Sequence, residues 1–520
     1  MEKRNPLFTL LEYAAIILFA YIFVNPYYLF PDGQGYFSYL PSLFHDGDLQ
    51  LFNDFAGMRI PVPLALSPTG YISNNWPVGA AFFWSPFYLA GKLFADIGTS
   101  QYNTWYWFWV NFGTVFYGML AAYLLLKILE SAGCKGKQCI LLAALAFFGT
   151  PAFYYSFIIT ANAHGITAFA SALFIWYWLY SFKDFEKPWR YALLGLLLGA
   201  TAMVRPQEAL FGLAPAAELV ARAVRRELDV KKILKYSGLL GVCFIAGISP
   251  QLLAWKIING SFFAAPAKFN LSWSYFALDK ILFSTYHGIF FWTPVYIIAF
   301  AGLIAGTVKK PLVYAGLLLV FLGQTLVNSC CVAFWEGHSF GLRQMTSLLP
   351  VAALGLLEFT KLFEGKAKGI RIAGWILVSV PVLWTAGLLA GNYFGLDLLG
   401  YLSFNDLLIA QKNVLKGIFF LPGKIAAIPR PAFGGFIAMA VTGGVLLFAA
   451  SRIKNLIERK KLKVAGAVLL AIIVSFNIII IRAALNKPPY QIPKEQTVTQ
   501  EELDGFFMKQ VEEIKKTLKD

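Results

Sequence analysis

The residue best placed for chemistry is Asp32, a carboxylate that directly follows the first apolar stretch of the chain. It opens a long polar segment, 31–101, which also contains Asp54. A carboxylate at the mouth of a helix bundle can act as a general base toward an acceptor hydroxyl or amine. Gly33 and Gly35 would let the backbone approach a ligand closely. The other interpretation is a solvated loop acid at a helix end, and the residues leave both open.

A second polar segment, 335–343, contains Glu336, His338 and Arg343 between two apolar stretches. Ionisable residues are costly in such positions and indicate function. We expect Arg343 to bind a phosphate through the two-pronged guanidinium group, with His338 sharing that charge. The competing interpretation is an interfacial anchor in which Glu336 pairs with Arg343.

Four residues are weaker candidates. Arg205 interrupts an apolar stretch just before a proline, where it needs a polar partner such as a phosphate or an acid of the first polar segment. His287 and His164 each lie near the end of an apolar stretch, where a lone histidine is more often structural. Lys268 can steer an anionic lipid head group.

The composition defines the setting for these residues. Apolar residues make up 58% of the 520 residues and charged residues only 14%, against about 25% charged in soluble proteins. The sequence therefore predicts an all-α polytopic membrane protein. The net charge of +16 lies mostly in short loops between apolar stretches, as in membrane proteins with basic cytoplasmic loops, and this argues against nucleic acid as a partner.

The apolar stretches predict about thirteen transmembrane helices of about 20 residues each. We count 191–221 as two short helices broken at Val204-Arg205-Pro206. The other predicted spans are 8–30, 102–128, 140–160, 163–182, 234–258, 285–307, 312–333, 344–361, 370–392, 433–452 and 463–482.

Charge predicts the orientation of these spans. A cytoplasmic N-terminus places every basic loop inside and the acidic segment 31–101 outside, provided that 79–97 lies along the membrane as an interfacial helix. Residues 1–482 then form one transmembrane module. Residues 483–520 form a polar external tail, in which the capping box Thr499 to Glu502 starts an amphipathic helix.

Metal binding stays open at this level. Asp54 is a candidate second acid, and it can share a divalent metal ion with Asp32. The segment from Asp46 lacks the glycine and glutamate of a calcium loop. The sequence implies no organic cofactor, because neither a Walker sequence nor a glycine-rich turn between a strand and a helix is visible.

Three features resemble the GT-C superfamily of polytopic membrane glycosyltransferases: the aspartate after the first span in a long outer loop, Met203-Val204-Arg205-Pro206-Gln207 at a broken helix, and Phe334 to Arg343 before a span. The third is similar to a Trp-x-Gly-x-x-Phe-Gly-x-Arg pattern of bacterial members. The span number and external C-terminus resemble lipid A aminoarabinose transferases and, more loosely, protein O-mannosyltransferases. The Asp-Glu pair of the mannosyltransferases is Asp32-Gly33 here, which disfavours protein mannosylation.

This resemblance implies an inverting hexosyl- or pentosyltransferase of a bacterial inner membrane, with its active site on the external face. Asp32 would activate the acceptor, which is an envelope glycan, a lipid or a protein. Arg343, with His338 or Arg205, would bind the phosphate of a polyprenyl-phosphate sugar donor. Glu336, His287 and Lys268 would be further site residues, and membrane lipids would surround the enzyme.

Two other functions fit a polytopic chain of this kind. A transporter or flippase of lipid-linked saccharides would place ionisable residues deep within the spans, whereas the candidates here cluster at the outer interface. A polysaccharide polymerase also works at the outer face, but the acidic segment after the first span weighs against it.

Overall fold

A computed structural model describes residues 29–264, 271–331, 339–391, 402–417, 459–486 and 492–517. These residues are almost entirely helical, with isolated β-bridges and no β-strand among them. The predicted all-α class is therefore confirmed. Residues 8–28 of the first predicted span, and the whole predicted span 433–452, lie outside the described residues.

Five of the described helices are long and apolar enough to cross a membrane, which supports a membrane protein. They are Thr104–Ser131, Val230–Asn259, Pro311–Ser329, Lys368–Gly391 and Leu462–Leu485. Shorter apolar helices cover Lys137–Gly149, Pro188–Val204 and Val295–Lys309. The total of about thirteen spans stays a prediction.

The longer helices, numbered in chain order, are α1 Pro31–Phe37, α2 Phe52–Met58, α3 Gly79–Leu93, α4 Thr104–Ser131, α5 Lys137–Gly149, α6 Ala163–Tyr180, α7 Pro188–Val204, α8 Leu213–Val224, α9 Val230–Asn259, α10 Val295–Lys309, α11 Pro311–Ser329, α12 Leu349–Thr360, α13 Lys368–Gly391, α14 Phe404–Gly417, α15 Arg459–Leu485 and α16 Gln500–Thr517. Short helical turns cover Tyr39–Pro41, Ser42–Asp46, Tyr154–Ile158, Phe182–Asp184, Pro206–Gly212, Trp273–Tyr275, Leu278–Phe283, Ile289–Trp292, Arg343–Leu348 and Lys494–Gln496.

The predicted helix break at Arg205 is confirmed. Helix α7 ends at Val204, and Arg205 is extended with φ −147° and ψ 117°. Because the residue before a proline is disfavoured in the α region, the chain leaves the helix here. It continues as a 3₁₀ turn, Pro206–Gly212, before α8 begins. The break puts the Arg205 side chain at the end of α7.

Helices α7 and α9 pack closely because small residues face each other. A Cβ atom on Gly199 would lie 2.4 Å from the backbone oxygen of Phe244, and one on Gly247 would lie 2.6 Å from that of Leu196. Small residues allow such close backbone approach between apolar helices. This contact fixes α7, and with it Arg205, against the long helix α9.

Helix α3 covers most of the predicted interfacial segment 79–97. Its 15 residues span about 22 Å, less than the roughly 30 Å hydrocarbon core of a bilayer. Trp84 and Tyr88 on this helix are fully buried, so it packs against protein along much of its surface. Its direction relative to a membrane stays a prediction.

The polar tail contacts the first polar segment. The Asn486 side chain donates a hydrogen bond to the Gly47 carbonyl, and Val498 exchanges backbone hydrogen bonds of 3.0 and 2.9 Å with Leu66 and Leu64. Both hydrogen bonds of the predicted capping box at Thr499 are present, at 2.7 and 3.1 Å. The tail and the segment 31–101 therefore lie next to each other, whereas their side of the membrane stays a prediction.

Candidate active site

Asp32 lies in the first turn of α1, directly after a proline at the first helical position. Both of its carboxylate oxygens accept hydrogen bonds from distant parts of the chain. Oδ2 accepts one from Arg343 Nη1 at 2.7 Å, and Oδ1 accepts one from Trp76 Nε1 at 3.0 Å. The side chains of Arg343 and Asp32 are 16% and 26% exposed. The structure thus joins the leading residues of the two polar segments in one ion pair that is still accessible.

The two glycines after Asp32 have a different role from the predicted approach of a ligand. A Cβ atom on Gly33 would lie 2.4 Å from the backbone oxygen of Ala161, and one on Gly35 would lie 2.1 Å from the Trp76 ring. Protein atoms already occupy the space beside both glycines. The glycines therefore let α1 pack tightly, which brings Asp32 within reach of Trp76.

Arg205 lies against His164, which is the second residue of α6. The Arg205 Nη1 atom is 2.6 Å from His164 Nδ1. Because a guanidinium group only donates, Nδ1 must accept, so the imidazole is neutral and carries its proton on Nε2. The Asn162 side chain caps α6 by accepting from the backbone N–H of His164 at 3.0 Å. This cap fixes the position of the histidine.

These side chains line a cavity of about 410 Å³. Its polar lining residues include Asp32, Trp76, His164, Arg205, Gln207 and Arg343. Its apolar lining residues include Ala209, Leu210, Trp255, Leu271 and Val327. A lining that combines two guanidinium groups with apolar side chains fits a ligand that has an anionic group and a hydrocarbon chain.

Leu271 and Cys331 both line this cavity and contact each other. Leu271 forms an antiparallel bridge with Cys331, and the backbone N–H of Ser272 donates to the Cys330 carbonyl at 2.9 Å. Leu271 lines the cavity and is also 60% exposed. Leu271 therefore connects the apolar lining of the cavity to the exposed surface of the protein.

Asp54 belongs to another group of side chains and does not line this cavity. It is fully buried, and its Oδ1 accepts a hydrogen bond from the Tyr102 hydroxyl at 3.2 Å. Its Oδ2 has no hydrogen-bond partner among the described residues. Burial, and next the charge of Asp46, raise the pKa of Asp54 well above its ordinary value. Asp54 is therefore a buried carboxyl group with no arginine partner in the described structure.

The surroundings of Asp32 disfavour the metal site shared with Asp54 that the sequence left open, because Asp54 does not line the cavity. Arg343 lies 2.7 Å from the Asp32 carboxylate, and a guanidinium group at that distance repels a metal ion from the same oxygen. In the described ranges, no three His, Cys, Asp or Glu residues are grouped as metal ligands. We therefore assign no step to a metal ion.

Of the remaining candidate residues, the structure describes only His287. His287 is buried, with Nδ1 3.3 Å from the Ser339 hydroxyl and its ring stacked on Tyr286, and it does not line the cavity. Its position fits the structural role that is more common for a lone histidine. Lys268, Glu336 and His338 lie outside the described residues.

Sequence reasoning missed or undervalued two residues of the site. The candidates chosen from the sequence do not include Trp76, yet its indole N–H donates a hydrogen bond to Asp32. His164 was a lone histidine, which is more often structural. Its position before a long apolar stretch and its N-terminal asparagine cap predict a helix start, but do not reveal that Arg205 ends beside it.

Comparison with known proteins gives no relative: no protein-family model matches the chain, and no curated protein matches it significantly.

Proposed function

We propose that the chain is a membrane glycosyltransferase that moves a sugar from a polyprenyl-phosphate donor to an acceptor at the membrane surface. The observation that carries the proposal is the Asp32–Arg343 ion pair in the wall of a cavity that also contains Arg205. In this proposal Asp32 is the general base, and Arg343 and Arg205 bind the phosphate. The lining of the same cavity also contains apolar side chains. These are the groups that transfer from a lipid phosphate requires.

The donor would be bound in two parts. Its phosphate would contact Arg343 and Arg205, and its first isoprene units would lie along Leu210, Trp255 and Leu271. Phosphate competes with Asp32 for Arg343, because a guanidinium group forms its strongest hydrogen bonds with anionic oxygens. Donor binding would therefore free the Asp32 carboxylate from its ion pair.

The transfer step would be a single displacement. The acceptor oxygen or nitrogen bonds to the anomeric carbon while its proton passes to Asp32, and the bond from that carbon to the phosphate oxygen breaks. The electron pair remains on the phosphate, where Arg343 and Arg205 stabilise the added negative charge. Attack opposite to the leaving phosphate inverts the anomeric configuration. The arginines accelerate transfer because this charge grows in the transition state.

The test compares wild type with Asp32→Asn in liposomes that contain a panel of polyprenyl-phosphate sugars. We expect transfer to disappear in the variant, while polyprenyl phosphate still binds at least as tightly, because Arg343 has lost its competing anion. Loss of transfer with retained phosphate binding separates a missing base from a damaged site.

Asp279→Asn is the matched control, since the Asp279 side chain is 72% exposed in another loop and does not line the cavity. It should transfer at the wild-type rate. Normal turnover by Asp32→Asn would remove Asp32 from the mechanism. A folded wild type that consumes no donor, but moves lipid-linked saccharides across the liposome membrane or polymerises them, would replace the proposal with transport or polymerisation.

A further inference from the structure

A chain of hydrogen bonds leads from the cavity wall to a second buried carboxyl group. Arg205 Nη2 donates to Gln207 Oε1 at 3.3 Å, and Gln207 Nε2 donates to Gln324 Oε1 at 3.2 Å. Gln324 Nε2 then donates to Glu208 Oε2 at 2.9 Å. The chain connects the turn Pro206–Gly212 to helix α11.

The two ends of this chain fix the direction of every hydrogen bond in it. Arg205 can only donate, and an ionised Glu208 can only accept. Gln207 must therefore present its oxygen to Arg205 and its nitrogen to Gln324, and Gln324 must present its nitrogen to Glu208. All three hydrogen bonds point the same way, and such aligned bonds polarise one another.

Among the described residues, Glu208 has no close ion-pair partner of the kind that a buried carboxylate usually needs. The residue is 0% exposed, as is Gln324, and Arg205 is the cation whose charge acts on it. Its Oε1 accepts no well-formed hydrogen bond from the described residues, although Ser347 lies beside the carboxyl group. Burying a carboxylate with so few partners is costly. A purely structural role would be served as well by an uncharged residue.

We propose that Glu208 is a positioning residue of the phosphate site, which orients Arg205 through the two glutamines and opposes its charge so that the lipid phosphate is released after transfer. This inference rests on the proposed function. Without Glu208 the cavity wall would carry two guanidinium charges against the single carboxylate of Asp32. The product of transfer, a polyprenyl phosphate, would then remain bound.

The test measures binding of undecaprenyl phosphate to the full chain in phosphatidylcholine nanodiscs, separately from transfer. Glu208→Gln removes the charge but keeps an oxygen that can accept from Gln324. We expect about tenfold tighter binding, the size of effect that a unit charge exerts across a protein interior, with a lower kcat and stronger product inhibition. Glu208→Asp restores the charge and should return the affinity toward wild type.

Gln324→Leu tests the glutamine chain in the opposite way, because it keeps the charge of Glu208 but removes the hydrogen bonds that join Gln207 to Glu208. We expect weaker binding than in wild type, since Gln207 then orients the Arg205 guanidinium less firmly while His164 still contacts it. Opposite signs for the two variants support the proposal, because damage to the fold weakens binding in both.

Glu218→Gln is the matched control, as it makes the same substitution at another fully buried glutamate that does not line the cavity. It should lower stability without tightening phosphate binding. Wild-type or weaker affinity in folded Glu208→Gln would overturn the role of Glu208 and leave the proposed function intact. Failure of the wild type itself to bind undecaprenyl phosphate would overturn both.

Discussion

Helix α7 has an arginine cluster at each end; the two clusters share their ion-pair distance and a tryptophan donor to the carboxylate, but they differ in exposure. At its start, Arg190 is 2.7 Å from Glu218. Arg205 follows its last residue, in the cavity where Arg343 is 2.7 Å from Asp32. The side chains of the first pair are 0% exposed, whereas those of the second are 16% and 26% exposed.

The buried cluster around Glu218 is the closed cluster. Glu218 accepts hydrogen bonds from Arg190, from Trp178 Nε1 at 2.7 Å and from Arg222 Nε at 2.8 Å. Arg222 also lies over the ring of Phe185, with 3.8 Å between its guanidinium carbon and the ring centroid. Three donors and complete burial fit a stabilising role for this carboxylate.

Asp32 and Arg343 form the open pair. Asp32 accepts hydrogen bonds from Arg343 and Trp76, and all three side chains line the cavity. An anion that enters the cavity could therefore reach the Arg343 guanidinium, as the proposed function requires. The two pairs have the same ion-pair distance, so it is access from the cavity that distinguishes the open pair from the closed cluster.

The largest expected effect is on stability, at the closed cluster. Glu218→Gln leaves two buried arginines without their shared counter-ion, and we expect the free energy of unfolding to fall by about 3–5 kcal/mol. Transfer per folded molecule should be unchanged. Unfolding by denaturing detergent, followed through helical circular dichroism, measures the loss.

Glu130→Gln is the control for this loss, because Glu130 forms a solvent-exposed pair with Lys127 at 2.8 Å. Such exposed pairs contribute about 0–1 kcal/mol. Equal unfolding midpoints for Glu218→Gln and wild type would contradict the assignment of a stabilising role to the closed cluster.

The next effect is on rate, at the open pair. Arg343→Gln removes the charge proposed to stabilise the leaving phosphate, and we expect kcat to fall by about 10²–10³-fold. Arg343→Lys keeps the charge but loses the planar fork, so it should give an intermediate rate. Steady-state transfer kinetics separate kcat from KM. An increase in KM with kcat unchanged would show that Arg343 binds the donor without stabilising the transition state.

The sequence was enough to predict the helical class, and two of its candidate residues, Asp32 and Arg343, contact each other in the structure. Apolar periodicity and length predict helices, and the proline after Arg205 predicts the break that the structure contains. Asp32 and Arg343 were each selected by type and position. Their pairing could not be predicted, because 311 residues separate them and composition carries no record of such contacts.

The closed cluster shows what the sequence could not predict. In the sequence, Arg190 and Arg222 lie in predicted basic loops, where such residues help to orient the spans. In the structure they are 0% and 4% exposed and share Glu218. Periodicity reports which residues are apolar, but a buried charge depends on a partner from a distant helix, and only the assembled fold provides that partner.

The smallest expected effect concerns Asp54, a carboxyl group that is buried like Glu218 but has, within the described ranges, only the Tyr102 hydroxyl as its side-chain donor. Burial raises its pKa in the folded state, so the folded protein binds this proton more tightly than the unfolded chain does. Stability from this group is therefore complete below the unfolded pKa of about 3.9 and is lost as pH rises toward the folded pKa. Each pKa unit between the folded and unfolded states lowers the free energy of unfolding by about 1.4 kcal/mol at a pH above both pKa values.

Asp54→Asn keeps an oxygen for Tyr102 and removes the titration. We expect the variant to unfold at a higher temperature than wild type at pH 8, and the difference to shrink as the pH falls toward 4. Thermal unfolding in detergent across this range measures the effect, with the exposed residue in Asp279→Asn as the control. Parallel curves for Asp54→Asn and wild type would mean that the Asp54 carboxyl is solvated. Asp54 would then resemble the accessible Asp32 more than the enclosed Glu218.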